Sequence, residues 1–386
     1  MKNTLTTKSS SSFDLYLWGS SLLLIGIGLM MIYSASAVIA EAKFADSAYF
    51  VKRQVIFLIP GLLLAWIFSK IEIRLLEKAV WPILIISGLS LLAVLIPSVG
   101  SQINGARRWL KLGMFSVQPS EFAKLALIIF MAFYLSKKKE KMKEFGHLLP
   151  ALFILIIFLK LILSEPDLGA AVIVGGVFML LIYQGGARIR HLFFLFLMSL
   201  PFLYHYLSVG FRRHRLMAFL DPWKEQGGEG FQVVQSYLAF AGGGPFGMGL
   251  GGSKQKLFYL PEPYTDFIFS VIGEELGLIG TFGVLLLFSI LIFRGVKIAL
   301  KTENLFEFYL CTGITFLFFI QVFINICVVT GLFPTKGLPL PLISYGGSSL
   351  WINLISIGIL LNISNRARFG PRKAGRREMV ATERFG

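Results

Sequence analysis

The chain has 386 residues, of which 55% are hydrophobic and only 15% are charged, with a mean hydropathy of +0.74 and a formal net charge of +16. Because soluble domains carry about 25% charged residues, this composition excludes a soluble enzyme and predicts an all-α, polytopic integral membrane protein. In such a chain an excess of Lys and Arg first indicates orientation in the membrane, so no nucleic acid is expected as a partner.

Apolar runs separated by charged residues or by Gly/Pro breaks predict about ten membrane-spanning helices. In chain order they are residues 15–36, 55–68, 79–96, 119–135, 148–163, 168–183, 192–209, 267–293, 308–332 and 342–363. They form one transmembrane domain, 15–363, between an N-terminal tail (1–14) and a basic C-terminal tail (364–386). The first run is longer than the apolar core of a signal peptide, so it is predicted to stay in the protein.

Both ends of the chain are predicted to lie in the cytoplasm. An even number of spans puts the two termini on the same side of the membrane, and the Lys and Arg residues of the connecting segments are more numerous on that side. Cytoplasmic segments are the ones that carry such an excess. The basic C-terminal tail is accordingly interpreted as an orientation and lipid-surface signal.

One long connection, residues 210–265, is predicted to be an extracytoplasmic loop between the seventh and eighth helices. It begins with a basic, amphipathic stretch (211–220) that suits the membrane interface. The stretch 227–252 is so rich in glycine that a packed subdomain is disfavoured. A mobile loop or a re-entrant backbone is favoured there instead.

Ionisable side chains gather at the outer ends of the predicted helices. Because such groups are costly at membrane depth, each is a candidate for function. They are Glu121, Lys124, Lys160, Glu165, Asp167, Glu262, Asp266 and Lys336, with Glu274 and Glu275 deeper in the eighth helix. Together they predict a polar cavity that opens toward the outer leaflet.

Simpler roles compete with function at several of these positions. Glu121 and Lys124 are spaced i, i+3 on a helix, where they could neutralise each other. The Arg-Arg-Trp stretch 107–109 suits an interfacial anchor as well as a substrate contact. Asp266 could serve only as a helix N-cap, but capping does not require the polar loops around it. A catalytic or substrate-binding role is therefore favoured for Asp266.

Six short motifs stand out in order along the chain. They are Asn104-Gly-Ala-Arg-Arg-Trp-Leu110, Gln118-Pro-Ser-Glu-Phe-Ala-Lys124, Glu165-Pro-Asp-Leu-Gly169, Tyr259-Leu-Pro-Glu-Pro-Tyr-Thr-Asp-Phe-Ile-Phe269, Gly273-Glu-Glu-Leu-Gly277 and Pro339-Leu-Pro-Leu-Ile-Ser-Tyr-Gly-Gly-Ser-Ser349. In combination they resemble the SEDS family (shape, elongation, division, sporulation), over the chain from about residue 33 to residue 362. The stretches 334–337 and 346–349 resemble its cell-division branch more than its elongation branch.

The resemblance implies a ten-helix membrane glycosyltransferase that polymerises lipid II, the undecaprenyl-diphosphate-linked disaccharide peptide, into glycan strands. It also implies a bacterial cytoplasmic (inner) membrane location at the division septum. The implied partners are a class B penicillin-binding protein, which crosslinks the peptides, and other division proteins. The essential aspartate of the family falls on Asp266. Pro263-Tyr264 departs from many members, so no proton-shuttling role is assigned there.

The implied chemistry explains which residue types are needed. Joining C1 of a muramyl sugar on an α-linked diphosphate lipid to the 4-hydroxyl of GlcNAc, with inversion, needs a base near the hydroxyl and positive charge near the departing diphosphate. Asp266 is predicted to be that base or, alternatively, a ligand for a divalent cation such as Mg²⁺; no metal-ligand set is predicted. The residues predicted to bind substrate are Arg107, Arg108, Trp109, Glu121, Lys124, Asp167, Arg212, Arg213, Arg215, Glu262, Lys336 and Ser344.

Three other functions compete with septal polymerisation. A lipid II flippase would use the same outer cavity, but it should also need a polar path to the cytoplasmic side, and most spans lack charged residues in their inner halves. A polymerase of the elongation branch would share the chemistry. A non-catalytic division scaffold would tolerate the loss of Asp266.

Overall fold

The computed structural model describes residues 14–103, 106–113, 115–138, 141–208, 218–224, 230–256 and 260–369. Its helices are α1 (Leu15–Phe44), α2 (Tyr49–Lys70), α3 (Ile73–Lys78), α4 (Val80–Leu95), α5 (Pro119–Lys138), α6 (Leu149–Ser164), α7 (Leu168–Gln184), α8 (Ile189–Ser208), α9 (Gly230–Gly243), α10 (Ile268–Lys301), α11 (Leu305–Val329) and α12 (Gly347–Phe369). Its strands are β1 (Gly100–Ile103), β2 (Ala106–Leu112) and β3 (Phe115–Val117).

Each of the ten predicted spans overlaps one helix of the structure. Among the described residues, α1, α2, α5, α10, α11 and α12 are long and apolar enough to cross a membrane by length and composition. The helices α4, α6, α7 and α8 are apolar but shorter. Large apolar side chains remain exposed along the bundle, for example Phe153 and Phe282, as expected of membrane-spanning helices. The number of ten spans and the side on which the termini lie stay predictions.

The all-α prediction is wrong for the segment between α4 and α5, which forms a three-stranded antiparallel sheet in the order β1-β2-β3. The central strand β2 pairs with both neighbours, and its Leu110 lies opposite Gly100 on one side and Val117 on the other. Asn104-Gly105 between β1 and β2 is a strong hairpin sequence. Hydropathy does not detect it, because the strands are short and pair only with one another.

The last helix continues past residue 363, where the last span was predicted to end. Ser364 donates a hydrogen bond to Asp14, whose carboxylate also caps α1. Arg366 pairs with Glu307 of α11 at 3.1 Å. Polar groups at the ends of neighbouring helices thus provide partners for the polar side chains of α12 beyond its apolar run.

Part of the long 210–265 connection is a packed helix. α9 lies against α10, and the following residues, 244–252, turn back along the same helix. Glycine permits this approach, because a Cβ at Gly243 would lie 2.0 Å from the carbonyl oxygen of Gly273. A Cβ at Gly247 would lie 2.2 Å from the carbonyl oxygen of Glu275. In this part of the connection, glycine serves close packing, which supports the re-entrant alternative over the mobile loop.

A buried ion pair fastens the far end of this segment to the bundle. Nζ of Lys256 lies 2.7 Å from Oε1 of Glu275 in α10, and both side chains are buried. The hydroxyl of Ser34 in α1 donates to the same carboxylate at 2.7 Å and accepts from Nζ of Lys256 at 3.1 Å. The neighbouring Glu274 accepts the backbone N–H of Lys254 at 2.9 Å. The loop, α1 and α10 therefore meet in one polar network.

Lys256→Met is expected to destabilise the protein strongly. Removing one partner of a buried ion pair leaves an uncompensated charge and typically costs about 3–5 kcal/mol. Thermal unfolding of the purified chain in detergent measures the loss. Lys224→Met is the matched control, because Lys224 pairs with Asp221 at the same 2.7 Å while exposed, and exposed pairs contribute about 0–1 kcal/mol. Equal losses in the two variants would contradict a fastening role for Lys256.

Candidate active site

Asp266 lies at the end of the bundle that carries the β-sheet, and this end is the one predicted to face outward. It precedes the first residue of α10 by two positions, and its side chain is half-buried. Its backbone carbonyl accepts a hydrogen bond from Nδ2 of Asn325 in α11 at 2.9 Å. The same amide donates to the carbonyl of Leu338 at 2.7 Å. Asn325 is 1% exposed, so one buried amide joins the Asp266 segment to the loop that precedes α12.

The loop before α12 runs directly beside the Asp266 carboxylate. Gly337 is so close that a Cβ at this position would lie 2.9 Å from Oδ2 of Asp266. Lys336, one residue earlier, is half-buried. The structure thus brings the acidic residue that precedes the eighth predicted span close to the loop segment before the tenth span that contains a basic residue.

Ser344 also connects the Asp266 segment to the loop before α12. Its hydroxyl donates to the carbonyl of Thr265 at 2.6 Å and accepts the backbone N–H of Leu340 at 2.8 Å. Gln54 of α2, which is 2% exposed, accepts the N–H of Gly346 at 3.2 Å and donates to the carbonyl of Ser344 at 3.4 Å. This geometry gives Ser344 a positioning role, and its contact with substrate stays a prediction.

The sheet places the Arg-Arg-Trp stretch at the same end of the bundle. All three side chains are half-buried on β2. Arg108 donates from Nε to the carbonyl of Glu165 at 2.8 Å and from Nη2 to that of Pro166 at 2.7 Å. Arg108 therefore holds the connection between α6 and α7. Nε of Arg107, in contrast, is buried with no hydrogen-bond partner among the described residues.

Asp167 is buried and caps the first turn of α7. Its Oδ1 accepts the backbone N–H of Ala170 at 3.0 Å. Its Oδ2 accepts hydrogen bonds from the side chains of Gln118 and Ser120, both at 3.2 Å. Asp167 thus joins two of the six motifs, and its geometry indicates a structural cap; the predicted substrate contact stays a prediction.

Glu165 carries a buried carboxyl group outside the helices, in the connection between α6 and α7. The residue is 0% exposed, and neither carboxyl oxygen has a hydrogen-bond partner in the described part of the chain. Burial first, and repulsion from Asp167 second, raise the pKa of Glu165 to about 8, against the attraction of Arg108. The protonated, neutral form is therefore the favoured one at neutral pH.

Glu165→Gln is expected to remove a pH dependence of stability. The pKa of Glu165 is raised on folding, so the folded protein holds a proton that the unfolded chain, with a pKa of about 4.3, releases. The free energy of unfolding of the wild type therefore falls as the pH rises from about 4.3 to about 8. The free energy of unfolding of the variant should not fall in this way, so its excess over that of the wild type should grow between about pH 4.3 and about pH 8, by on the order of several kcal/mol.

Thermal unfolding in detergent at pH values from 5 to 9 measures this difference. Glu41→Gln is the control, because Glu41 is exposed near the end of α1. Parallel pH profiles of Glu165→Gln and the wild type would refute the buried, protonated carboxyl.

Glu121 and Lys124 form a buried ion pair on α5. Nζ of Lys124 lies 2.7 Å from Oε1 of Glu121, and their side chains are 2% and 6% exposed respectively. Oε2 of Glu121 is buried with no partner among the residues described. Lys124 also lines a small apolar cavity between α5, α7 and α11. The pair neutralises itself inside the bundle, as one of the two alternatives predicted, and substrate contact stays a prediction.

The other predicted substrate-binding residues divide into two groups. Glu262 is exposed, and its carbonyl accepts hydrogen bonds from the N–H and the hydroxyl of Thr265 at 3.0 and 2.7 Å. Arg212, Arg213 and Arg215 lie outside the described residues.

Asn325 and Gln54, the two buried amides that hold the segments around Asp266, are not among the site residues predicted from the sequence. Asn325 lies inside the predicted ninth span (308–332) but is uncharged, and Gln54 immediately precedes the predicted second span (55–68), so neither is a charged group at membrane depth. An amide inside an apolar helix is also a polar group that needs a partner, so this signal was available. The sequence does not indicate which backbone groups each amide binds, because the partners of Asn325 lie 59 and 13 residues away along the chain and those of Gln54 lie 290 and 292 residues away.

This chain is similar to known proteins over nearly its whole length. The family model FtsW/RodA/SpoVE, described as "Cell cycle protein", matches residues 14–369. The chain is 46% identical to a probable peptidoglycan glycosyltransferase FtsW of Geobacter metallireducens, over 95% of this chain and 98% of that protein. It is also 46% identical to the stage V sporulation protein E of Bacillus subtilis, over 95% of this chain and 100% of that protein.

Solved structures share the fold. A chain from work on the structural coordination of polymerization and crosslinking by a peptidoglycan synthase complex superposes with a TM-score of 0.77 at 31% identity. The superposition covers 93% of this chain and 99% of that one.

Proposed function

The chain belongs to the FtsW/RodA/SpoVE family of cell cycle proteins, and we propose that it is a peptidoglycan glycosyltransferase that polymerises lipid II at the outer face of the bacterial inner membrane. The resemblance of its motifs to the SEDS family is confirmed. Its six long apolar helices and its relatives support a multi-pass membrane protein. Ten spans, cytoplasmic termini and a location at the division septum are parts of the proposal.

The observation that carries the proposal is the meeting of Asp266 with the Lys336-Gly337 segment, held by Asn325. An inverting transfer needs a base beside the acceptor hydroxyl and positive charge where the diphosphate departs. Asp266 is a half-buried carboxylate at the outer end of the bundle, and it fits the first need. Lys336 is next in sequence to the glycine that touches that carboxylate, and it fits the second.

Arg107 is the second cation that suits the diphosphate. It lies on β2 at the same end of the bundle, and its buried Nε has no partner among the described residues. An arginine in this state has donors to offer to phosphate oxygens. Two N–H donors of Arg108 already bind backbone carbonyls. We therefore assign Arg108 to holding the α6–α7 connection, next to Arg107.

The described residues provide no complete protein site for a divalent cation. Among the described residues, no group of three or more His, Cys, Asp or Glu side chains could hold a metal ion. Asp266 supplies a single carboxylate, so a cation such as Mg²⁺ would have to take its other ligands from the diphosphate or from water.

A transpeptidase is the partner that completes the product. The solved complex whose chain superposes here coordinates polymerization with crosslinking. We propose that this chain likewise acts with a class B penicillin-binding protein and with other division proteins. Septal work is favoured by the relatives named FtsW, although the sporulation relative is equally similar.

Polymerisation of purified lipid II in liposomes tests the function. The chain is assayed alone and with its class B penicillin-binding protein, and glycan strands are resolved by length. Strands from either sample support a polymerase, and more strands with the partner support the complex. If no glycan strands form but lipid II crosses the bilayer, the protein is a flippase. If no strands form and lipid II does not cross, the protein is a non-catalytic scaffold.

A further inference from the structure

The helix that follows Asp266 is interrupted, and another segment of the chain is inserted at the break. Gly277 in α10 has φ 66° and ψ −162°, outside the helical region. Only glycine suits this position, since a Cβ would lie 2.4 Å from the backbone nitrogen of Gly247. The hydrogen bonds that α10 loses at this point are replaced by bonds to residues 244–249.

Four backbone hydrogen bonds join the two segments. In an unbroken helix the N–H groups of residues 278 and 279 would donate to the carbonyls of residues 274 and 275. Instead those carbonyls accept the N–H groups of Met248 and Gly249, at 2.9 and 3.0 Å. The N–H groups of Leu278 and Ile279 donate to the carbonyls of residues 244 and 245, at 3.0 and 3.2 Å.

The inserted segment lies at membrane depth if α10 begins at the outer boundary of the bilayer. At 1.5 Å per residue, the break lies about 9 to 16 Å along α10 from its first residue. Half of the hydrocarbon thickness is about 15 Å. Irregular backbone at that depth requires its polar groups to be bonded within the protein, and the four bonds across the break satisfy four N–H and four carbonyl groups in this way.

The composition of the segment agrees with a hydrocarbon environment. From Gly230 to Ser253 the chain contains no Asp, Glu, Lys or Arg. Yet large apolar side chains are exposed on it, namely Leu238 (44%), Phe246 (80%), Met248 (43%) and Leu250 (58%). The adjoining turn of α10 exposes Leu278 and Ile279 in the same way. Exposing such an apolar surface to water is unfavourable, whereas contact with lipid acyl chains carries no such cost.

We propose that residues 230–252 form a re-entrant hairpin inserted into the outer half of the bilayer, with Phe246 and Leu250 in contact with lipid acyl chains. The hairpin descends as α9, turns at residues 244–247 and returns beside α10 to the buried Lys256–Glu275 pair. Since it completes the hydrogen bonding of α10, the bilayer-facing hairpin supports the helix whose outer end carries Asp266.

Spin labels in liposomes test the depth of the hairpin. Phe246→Cys and Leu250→Cys are labelled with a nitroxide, and accessibility to oxygen is compared with accessibility to a water-soluble nickel chelate. Phe282→Cys, 66% exposed on α10, is the lipid-facing reference, and Lys224→Cys, whose side chain is 84% exposed, is the water-facing reference. The unmodified chain gives the background, since its cysteines at 311 and 327 are buried.

We expect both hairpin labels to match the Phe282→Cys reference, with oxygen access retained and nickel access lost. Nickel access equal to that at Lys224→Cys would place the hairpin in water and overturn the proposal. Protection from both reagents would show that protein covers Phe246, from a second copy or a partner, and would equally overturn it.

Discussion

Asp266→Asn is expected to lower the rate of glycan polymerisation by about 10²- to 10⁴-fold, the contribution typical of a general base. Asparagine has nearly the same shape, so the backbone hydrogen bond from Asn325 and the packing of Gly337 should persist. The variant loses the negative charge of the carboxylate and, with it, the capacity to accept the proton of the acceptor hydroxyl. Turnover of lipid II per folded molecule, in liposomes with the partner transpeptidase, measures the change.

Asp46→Asn is the matched control for this variant. Asp46 is also an aspartate just beyond the end of a helix, α1, but it pairs with the exposed Lys52 at 2.8 Å and belongs to none of the six motifs. Its turnover should stay close to that of the wild type. Near-wild-type turnover in Asp266→Asn would remove Asp266 from the mechanism. If turnover is lost while binding of the partner is unaltered, the loss does not come from misfolding.

Asn325→Asp is expected to lower kcat by about 10²-fold, with a smaller effect on KM. A carboxylate would face the carbonyls of Asp266 and Leu338 without a proton to donate to both, so the two segments would separate. A displacement of about 1 Å in a reacting group can cost about 10²-fold in rate. Steady-state kinetics on lipid II, normalised to folded protein, give kcat and KM separately.

The chain contains a matched control for this change at the opposite end of the bundle. Asn362 is also buried, and its amide bridges two carbonyls in the same way, those of Phe68 and Ile71. Asn362→Asp should therefore cost similar stability while leaving kcat per folded molecule unchanged. If both variants had the same kcat, Asn325 would be a structural residue and not one that positions Asp266. That result would leave the assignment of Asp266 intact.

The clustering of the charged motifs at one end of the bundle followed from the order of the spans alone. Once the apolar runs are counted, successive connections alternate between the two sides, so the motifs near residues 107, 165, 266 and 336 fall at one end. The structure brings them there, with Arg108 on the α6–α7 connection and Gly337 against Asp266. Individual roles were less predictable, because Asp167 and Ser344 turned out to be occupied by hydrogen bonds within the protein.

Hydropathy and contiguous motifs were enough to predict the class of protein, its ten long apolar segments and its family, because hydropathy acts on each segment separately. Tertiary structure alone decided the β-sheet, the insertion of residues 244–249 into α10, the Lys256–Glu275 pair and the hold of Asn325 on Asp266. Each of these joins groups that are distant along the chain or that compete with local helix formation. These contacts form only in the folded bundle, where each buried polar group must find a hydrogen-bond or ion-pair partner.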